Sequence, residues 1–240
     1  MRRSVVPLLL SVALVAGCAE RTPLPEPTLE PAARDTAALV TALVSGVDAQ
    51  FSVRFEAEHT MSGREVRAEG DLVRSQEGRL VALREDAVEV VVLPDAGYTR
   101  SGGGPWTRLA RADRAGLKSG VAVEAVADEV DPRTVVSTLR GSLIVETVDE
   151  PVEGSPARRY TLLVDLRAQA EQTTDLAHRA QLLAADESGF TATAVVWVGP
   201  GNLPVKVEQT LKTAEETVFR QTVHRFGGWN SNVRVVAPVG

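Results

Sequence analysis

Cys18 is the only cysteine in 240 residues, so it can neither close an intramolecular disulfide nor join a multi-thiolate metal site. Its chemistry is set by where it stands. The tetrapeptide Val15-Ala16-Gly17-Cys18 ends an apolar run, Val5 to Ala16, that follows Arg2 and Arg3. A basic start, an apolar stretch too short to span a bilayer and small residues at its end are the marks of a secretory leader. This end resembles a bacterial lipobox in place of the usual small-x-small site. Small residues let the chain enter a protease within the membrane, and the cysteine thiol takes a diacylglyceryl group as a thioether. The sequence therefore predicts signal peptidase II cleavage between Gly17 and Cys18, with S-diacylglyceryl Cys18 as the first residue of the mature chain. Two acyl chains hold firmly where one is marginal, because each buried methylene contributes about 0.8 kcal/mol. The expected location is the cell membrane, lipid-anchored, on its extracytoplasmic face.

The other chemistry-bearing residues make no recognisable site. His59, His178 and His224 are far apart, none has a histidine four residues away, and none lies in a metal motif. His59 and His224 fall in strand patterns and are expected at a surface or edge. Glu56 and Glu58 alternate on the wet face of a strand. Asp128, Glu129 and Asp131 lack the spacing and the glycine of a calcium loop, so solvated charges are expected at both places. The stretch "SGGGP" from Ser101 to Pro105 lacks the Lys-Ser/Thr of a phosphate loop, and no G-x-S-x-G elbow is present. No enzyme, no metal and no cofactor is predicted. The net charge of −6 argues against nucleic acid as a partner and against broad adhesion to anionic lipid, since both need clustered basic residues.

The elements that would carry a site follow from punctuation and period. Residues 1–17 form the leader. Residues 18–33 hold Pro23, Pro25, Pro27 and Pro31 and read as an extended tether. Residues 34–240 form one domain, with no internal repeat. It opens with a helix, where Leu39, Val40, Leu43, Val44 and Val47 recur at helical spacing, Asp35 is the N-cap and Gly46 the stop. The period then becomes two, and strands are expected near 51–58, 64–73, 79–85, 87–93, 98–100 and 106–109. "DPRTVVSTLRG" reads as a short helix with Asp131 as N-cap, Pro132 at N1 and Gly141 as its end. Strands 143–148 and 158–165 precede one long helix, Leu166 to Ala185. Further strands follow at 190–198, 203–211, 215–226 and 233–236. The fold class is α+β, with successive strands pairing antiparallel and two or three helices covering one face.

Trp106, Trp197, Trp229 and the apolar strand faces either pack an ordinary core or line an apolar cavity inside a curled sheet. Phe51, Val53 and Phe55 on one strand and Leu203, Val205 and Val207 on another are the candidate cavity lining, a surface suited to acyl chains.

Five segments, "LPDAGYTRSGGGPWTRL", "DPRTVVSTL", "EGSPARRYTLLVD", "WVGPGNLPVKVEQTL" and the ending "RFGGWNSNVRVVAPVG", resemble the LppX/LprA/LprF/LprG family of actinobacterial lipoproteins. The resemblance covers most of Thr36 to Pro238. It implies a LolA/LolB-like half-barrel, a large curved antiparallel sheet with helices over its concave face. It also implies a lipid or glycolipid ligand held between sheet and helices, assistance in lipid transport across the cell envelope, and an envelope transporter as partner. The alternative is an anchored interaction or sensor module with a filled core and no lipid cargo.

Overall fold

The computed structural model describes residues 28–61, 63–109, 127–173 and 176–238. Cys18, Gly17, the leader and most of the tether lie outside these residues, as does most of the 110–130 stretch.

The first helix, α1 (Thr36–Asp48), starts where the sequence predicts. The Asp35 carboxylate accepts a hydrogen bond from the Ala38 N–H at 2.8 Å, satisfying one of the donors a helix start leaves orphaned. Leu39, Val40, Leu43 and Val47 form its buried stripe. Gly46 does not stop it. A Cβ there would lie 2.6 Å from the Gly201 carbonyl oxygen, so the glycine serves close packing against the turn at Pro200–Asn202.

Eleven strands follow: β1 (Ser52–Met61), β2 (Arg64–Ser75), β3 (Gly78–Glu85), β4 (Val88–Val92), β5 (Gly97–Ser101), β6 (Thr107–Leu109), β7 (Leu143–Asp149), β8 (Arg158–Val164), β9 (Thr191–Gly199), β10 (Leu203–Lys212) and β11 (Val218–Gly227). They form one open antiparallel sheet in the order β6-β5-β4-β3-β2-β1-β11-β10-β9-β8-β7. Two meanders, β1 to β6 and β7 to β11, are thus joined by pairing the first strand to the last, with Phe55 opposite Phe226 and Ala57 opposite His224. Residues 233–236, expected as a strand, take no part in the sheet. Among the described residues, 127–129 are helical, and three further helices follow, α2 (Pro132–Ser137), α3 (Leu166–Gln172) and α4 (Leu176–Glu187). Asp131 caps α2 and Pro132 sits at its start as expected, but the helix gives way to turns before Gly141. The long helix expected from 166 to 185 is two helices, α3 capped by Asp165 and α4 packed back on it.

One face of the sheet is apolar. Phe55 and Ala57 of β1, Leu72 of β2, Val81 and Leu83 of β3, Val207 of β10, Val196 of β9 and Leu162 of β8 are buried on it, and on β1 and β10 they alternate with the charged Arg54, Glu56, Lys206 and Glu208, as period two requires. They share one core with α1, α2 and Leu139. That core reaches from Leu109 of β6 to Leu162 of β8, nine strand steps or roughly 43 Å if the sheet were flat. The sheet curves, so two helices can serve it. At Gly70, opposite Phe55 and Leu83, a Cβ would lie 2.1 Å from the Ala82 carbonyl oxygen and 2.8 Å from the Phe55 ring. Only glycine leaves room for that ring. A second, smaller core, Leu166, Ala170, Leu182 and Ala192, fixes the α3–α4 hairpin to the ends of β8, β9 and β10.

The opposite face is held by cross-strand charge pairs: Arg54–Asp71, Arg100–Glu89, Arg225–Glu58 and Arg159 with Glu146 and Glu150. Glu56 is exposed and Glu58 half-buried on this side, in line with their wet-face assignment. Asp131 differs from expectation. It is buried, accepts hydrogen bonds from Arg74 at 2.8 Å, Arg79 at 3.0 Å and the Arg133 N–H at 2.9 Å, and ties α2 to β2 and β3. Burial opposes the charge of Arg79, yet its hydrogen bonds to Asp128 and Asp131 raise its pKa above the ordinary value.

Residues 28–33 already lie along the fold. The Glu30 carboxylate accepts from the Gly201 N–H at 2.8 Å, and the Ala33 N–H donates to the Tyr160 hydroxyl at 3.0 Å. The chain therefore enters at the end of the sheet where β1 begins, here called the upper end. It runs down the helical face to Thr36, whose hydroxyl donates to the Ser142 carbonyl at 2.7 Å, and α1 returns upward. Among the described residues no helix is long and apolar enough to cross a membrane.

Candidate functional site

The upper half of the helical face is solid. Val53, Phe55 and Val207, three of the six candidate lining residues, are at most 1% exposed within the shared core. Phe51 precedes β1 and is 51% exposed. Leu203 and Val205 are half-buried at the start of β10, where the pairing with β9 is irregular between Pro204 and Lys206. The structure does not bring the six around one space.

Open space lies at the lower end, where β1 and β10 finish and β9 and β11 begin. Four grooves converge on the turn Thr138–Ser142 that leads from α2 into β7. Two of them form a crevice between the helices and the sheet. Their volumes are about 290 Å³ and about 90 Å³, and both are bordered by Thr138, Gln169, His178 and Leu182. The inner one has an apolar floor and wall, made by Val164 of β8, Ala192 of β9, Leu211 of β10, Leu166 of α3 and Leu182 of α4.

A short polar relay crosses this floor. The Gln209 side-chain amide donates to the Thr138 hydroxyl at 2.6 Å, and that hydroxyl donates to the Val135 carbonyl at 2.6 Å. The Gln169 amide donates to the Thr138 carbonyl. The last carbonyls of α2 also accept from the N–H groups of Thr138, Leu139 and Arg140, and the side-chain bonds pin α2, α3 and β10 together at the crevice. Arg220 of β11 borders the inner part and Arg140 the outer part, and both are exposed.

Gln209 and Arg220 carried a sequence signal that apolar counting overlooks. They occupy the sheet positions of the apolar face, Gln209 between Val207 and Leu211, Arg220 two residues below Thr222, but toward the lower strand ends. Polar residues at those positions mark where the apolar face stops being sealed. Thr138, Gln169 and Arg140 carried no comparable signal, because their places depend on how the helices dock.

The histidines divide. His178 borders the crevice. His224, expected at a surface or edge, is 3% exposed, and neither ring nitrogen has a hydrogen-bond partner. It stacks parallel on Phe226 at 6.0 Å and meets His59 edge-on at 5.6 Å. Burial first, then charge on His59, push its pKa down to about 4, and the nearby Glu129 backbone offsets this only in part. It is a neutral core residue, not a surface base. Trp197 is 8% exposed on the charged face, its indole N–H donating to Glu150 at 3.1 Å, with Lys206 4.5 Å above the ring. Trp229 packs partly against the main core and Trp106 lies 4.7 Å from the Arg100 guanidinium, so none of the tryptophans borders the crevice. Among the described residues no three His, Cys, Asp or Glu side chains cluster as metal ligands would.

No family model matches the chain, and no curated protein does. Solved structures do. LprF from Mycobacterium bovis superimposes with a TM-score of 0.51 at 12% identity, over 85% of this chain and 97% of that one. MucB in complex with MucA, from Pseudomonas aeruginosa, gives a TM-score of 0.38 at 14% identity, over 85% of this chain and 61% of that one. A DUF1329 family protein from Desulfovibrio piger gives a TM-score of 0.32 at 10% identity, over 83% and 95%. The last two scores are too low to carry an argument. The likeness to LprF shows a shared fold, and it agrees with the family resemblance drawn from the five sequence segments.

Proposed function

We propose that this chain is a membrane-anchored lipoprotein that binds a lipid acyl chain in the lower crevice and assists lipid movement within the cell envelope. The observation that carries the reading is the crevice itself: an apolar floor of Val164, Ala192 and Leu211 under two helices, open at one end beside polar and cationic side chains. Such a site removes methylenes from water while leaving a headgroup wet, at about 25 cal/mol per Å² of apolar area buried. Its groups are suited to binding and to no catalytic step. The Val15–Cys18 tetrapeptide supports anchoring through an S-diacylglyceryl Cys18 on the extracytoplasmic face. The described chain enters at the upper end through Glu30, so an anchored protein would carry its open end away from its point of attachment. Delivery to an envelope transporter or a second membrane is the use this geometry favours, with lipid or glycolipid as cargo.

The test is titration with a fluorescent polyene fatty acid: saturable binding of one probe per chain is expected, and no binding at all would refute the lipid reading. Labelling with radioactive palmitate tests the anchor separately, and Cys18→Ala is expected to abolish it; a labelled variant would refute the assignment.

A second reading keeps one observation of its own. The solid upper core around Phe55 and Val207, together with Leu143 at 64% and Val145 at 57% exposure on the edge strand β7, fits an anchored interaction module. The same titration separates the two.

A further inference from the structure

The crevice is small and its rim is not electrically neutral, and together these features narrow the ligand. At roughly 30 Å³ per water-sized group, which is also the size of a methylene, the outer groove of about 290 Å³ takes on the order of ten chain carbons. The inner groove of about 90 Å³ takes a few more. The two grooves together hold about one such chain, and above them Leu43 and Val136 are fully buried; a second chain would have to lie in the neighbouring grooves of about 490 Å³ and about 670 Å³ along Gly141 and Ser142.

Most described cations are already tied to carboxylates. Arg54, Arg74, Arg79, Arg100, Arg133, Arg158, Arg159 and Arg225 all hold acidic partners. Near the crevice, Asp186 is paired with Arg167 and Glu216 with Lys212. Arg140 and Arg220 have no acidic partner among the described residues. They border the outer and inner parts of one crevice whose shared wall is Thr138, Gln169 and Leu182. Arg220 stands directly across the strands from Met61 and Leu211, so a cation stands beside the apolar floor itself. A guanidinium at such a boundary meets a carboxylate or phosphate oxygen with two parallel hydrogen bonds. The protein is acidic overall, with a net charge of −6, and these two cations border the crevice against that background.

We infer that the crevice selects a single-chain amphiphile with an anionic head, a free fatty acid or a lysophospholipid, with the head held by Arg140 and Arg220 and the chain on the Val164–Leu211 floor. This rests on the reading of the crevice as an acyl-chain site.

The experiment displaces the fluorescent polyene fatty acid from the full chain carrying Cys18→Ala, which keeps the polypeptide intact and removes only the acylation position. The competitors are a sixteen-carbon fatty acid, the alcohol of the same length, the lysophosphatidate bearing one such chain and the diacyl phosphatidate bearing two. The acid or the lysophosphatidate is expected to compete about five- to tenfold better than the alcohol, an advantage that shrinks as salt is raised. Whichever of the two is better identifies the head as carboxylate or phosphate. The diacyl lipid is expected to compete poorly. Arg140→Glu with Arg220→Glu should remove the advantage, so that acid and alcohol then compete alike. Both side chains are exposed, so the fold should survive, and an unchanged circular dichroism spectrum checks this. Equal competition by acid and alcohol, or an advantage that persists in the double variant, would overturn the anion site while leaving acyl binding intact. A diacyl lipid that competes as well as the single-chain acid would overturn the single-chain assignment. Failure of every competitor and of the probe itself would instead overturn the lipid reading on which the inference stands.

Discussion

Replacing His224 with leucine should change how the protein responds to acid more than how stable it is at neutral pH. His224 is 3% exposed and both ring nitrogens lack partners. Its pKa falls from the ordinary 6.5 to about 4, chiefly because burial penalises the imidazolium. The unfolded chain therefore binds a proton that the folded chain refuses throughout the interval between those values. Stability from the neutral ring is fully present above pH 6.5, declines as pH falls toward 4, and is lost below that. The interval of 2.5 pH units, at about 1.4 kcal/mol per unit, makes the full loss about 3.5 kcal/mol once pH is below 4. Leucine does not titrate, so His224→Leu should lose none of this. At pH 7 the exchange gives up the stack on Phe226 but also relieves two unsatisfied polar atoms, so a change within about 1 kcal/mol is expected. The assay is urea unfolding followed by tryptophan fluorescence at half-unit steps from pH 7.5 to 4.5. Glu89, Asp149 and Glu150, whose pKa values are lowered by hydrogen bonds to Arg100, to Arg158, and to Trp197 and Arg159 respectively, contribute equally in both proteins and cancel. The difference curve should open steadily by about 2.5 kcal/mol between pH 7.5 and 4.5. Parallel curves for the two proteins would refute the placement of His224 as a buried neutral ring.

Asp131→Ala should cost about 3 kcal/mol in the same unfolding assay, because it takes the carboxylate from half-buried Arg74, leaves Arg79 with Asp128 alone and removes the cap of α2; a loss under about 1 kcal/mol would mean that the network is ornamental. Gly70→Ala should cost about 3 kcal/mol or more, since its new carbon would overlap the Ala82 carbonyl at 2.1 Å, and a variant as stable as the parent would refute the close approach of β3 and Phe55. Leu182→Trp places an indole in the crevice that Leu182 borders from both grooves. It should lower affinity for the fluorescent fatty acid at least about tenfold while the melting curve moves little, since a void receives the added bulk.

Capping and period made most of the framework readable from the chain. Asp35 and Asp131 announce their helices by a side-chain oxygen at the right distance, and the eleven strands all fall on expected segments of alternation or short apolar runs bounded by turn residues. β1 to β6 and β7 to β11 are meanders, in which each strand pairs with its sequence neighbour. The closure of β1 on β11 is not local, and only the need to bury Phe55 and Phe226 on one face dictates it. Gly46 read as a stop because its reason for being glycine, the Gly201 carbonyl, lies over 150 residues away. Asp131 and His224 read as solvated for the same cause: burial is a property of what docks on a residue, and Arg74, Arg79 and the helical layer are not visible from their flanks. The candidate lining failed to converge because alternation tells which face a residue takes but not whether helices fill the space in front of it. Over Val53 and Phe55 they do; over Leu211 and Ala192 a space is left.

The central claim is that the lower crevice holds an acyl chain. Native mass spectrometry of the full chain purified from its own membranes under mild conditions tests it directly. The account predicts a complex carrying one single-chain amphiphile per protein, beyond the mass of the covalent anchor, and its absence from Leu182→Trp prepared in parallel. Protein that emerges without bound lipid, and that remains empty after incubation with the fatty acid, would contradict it.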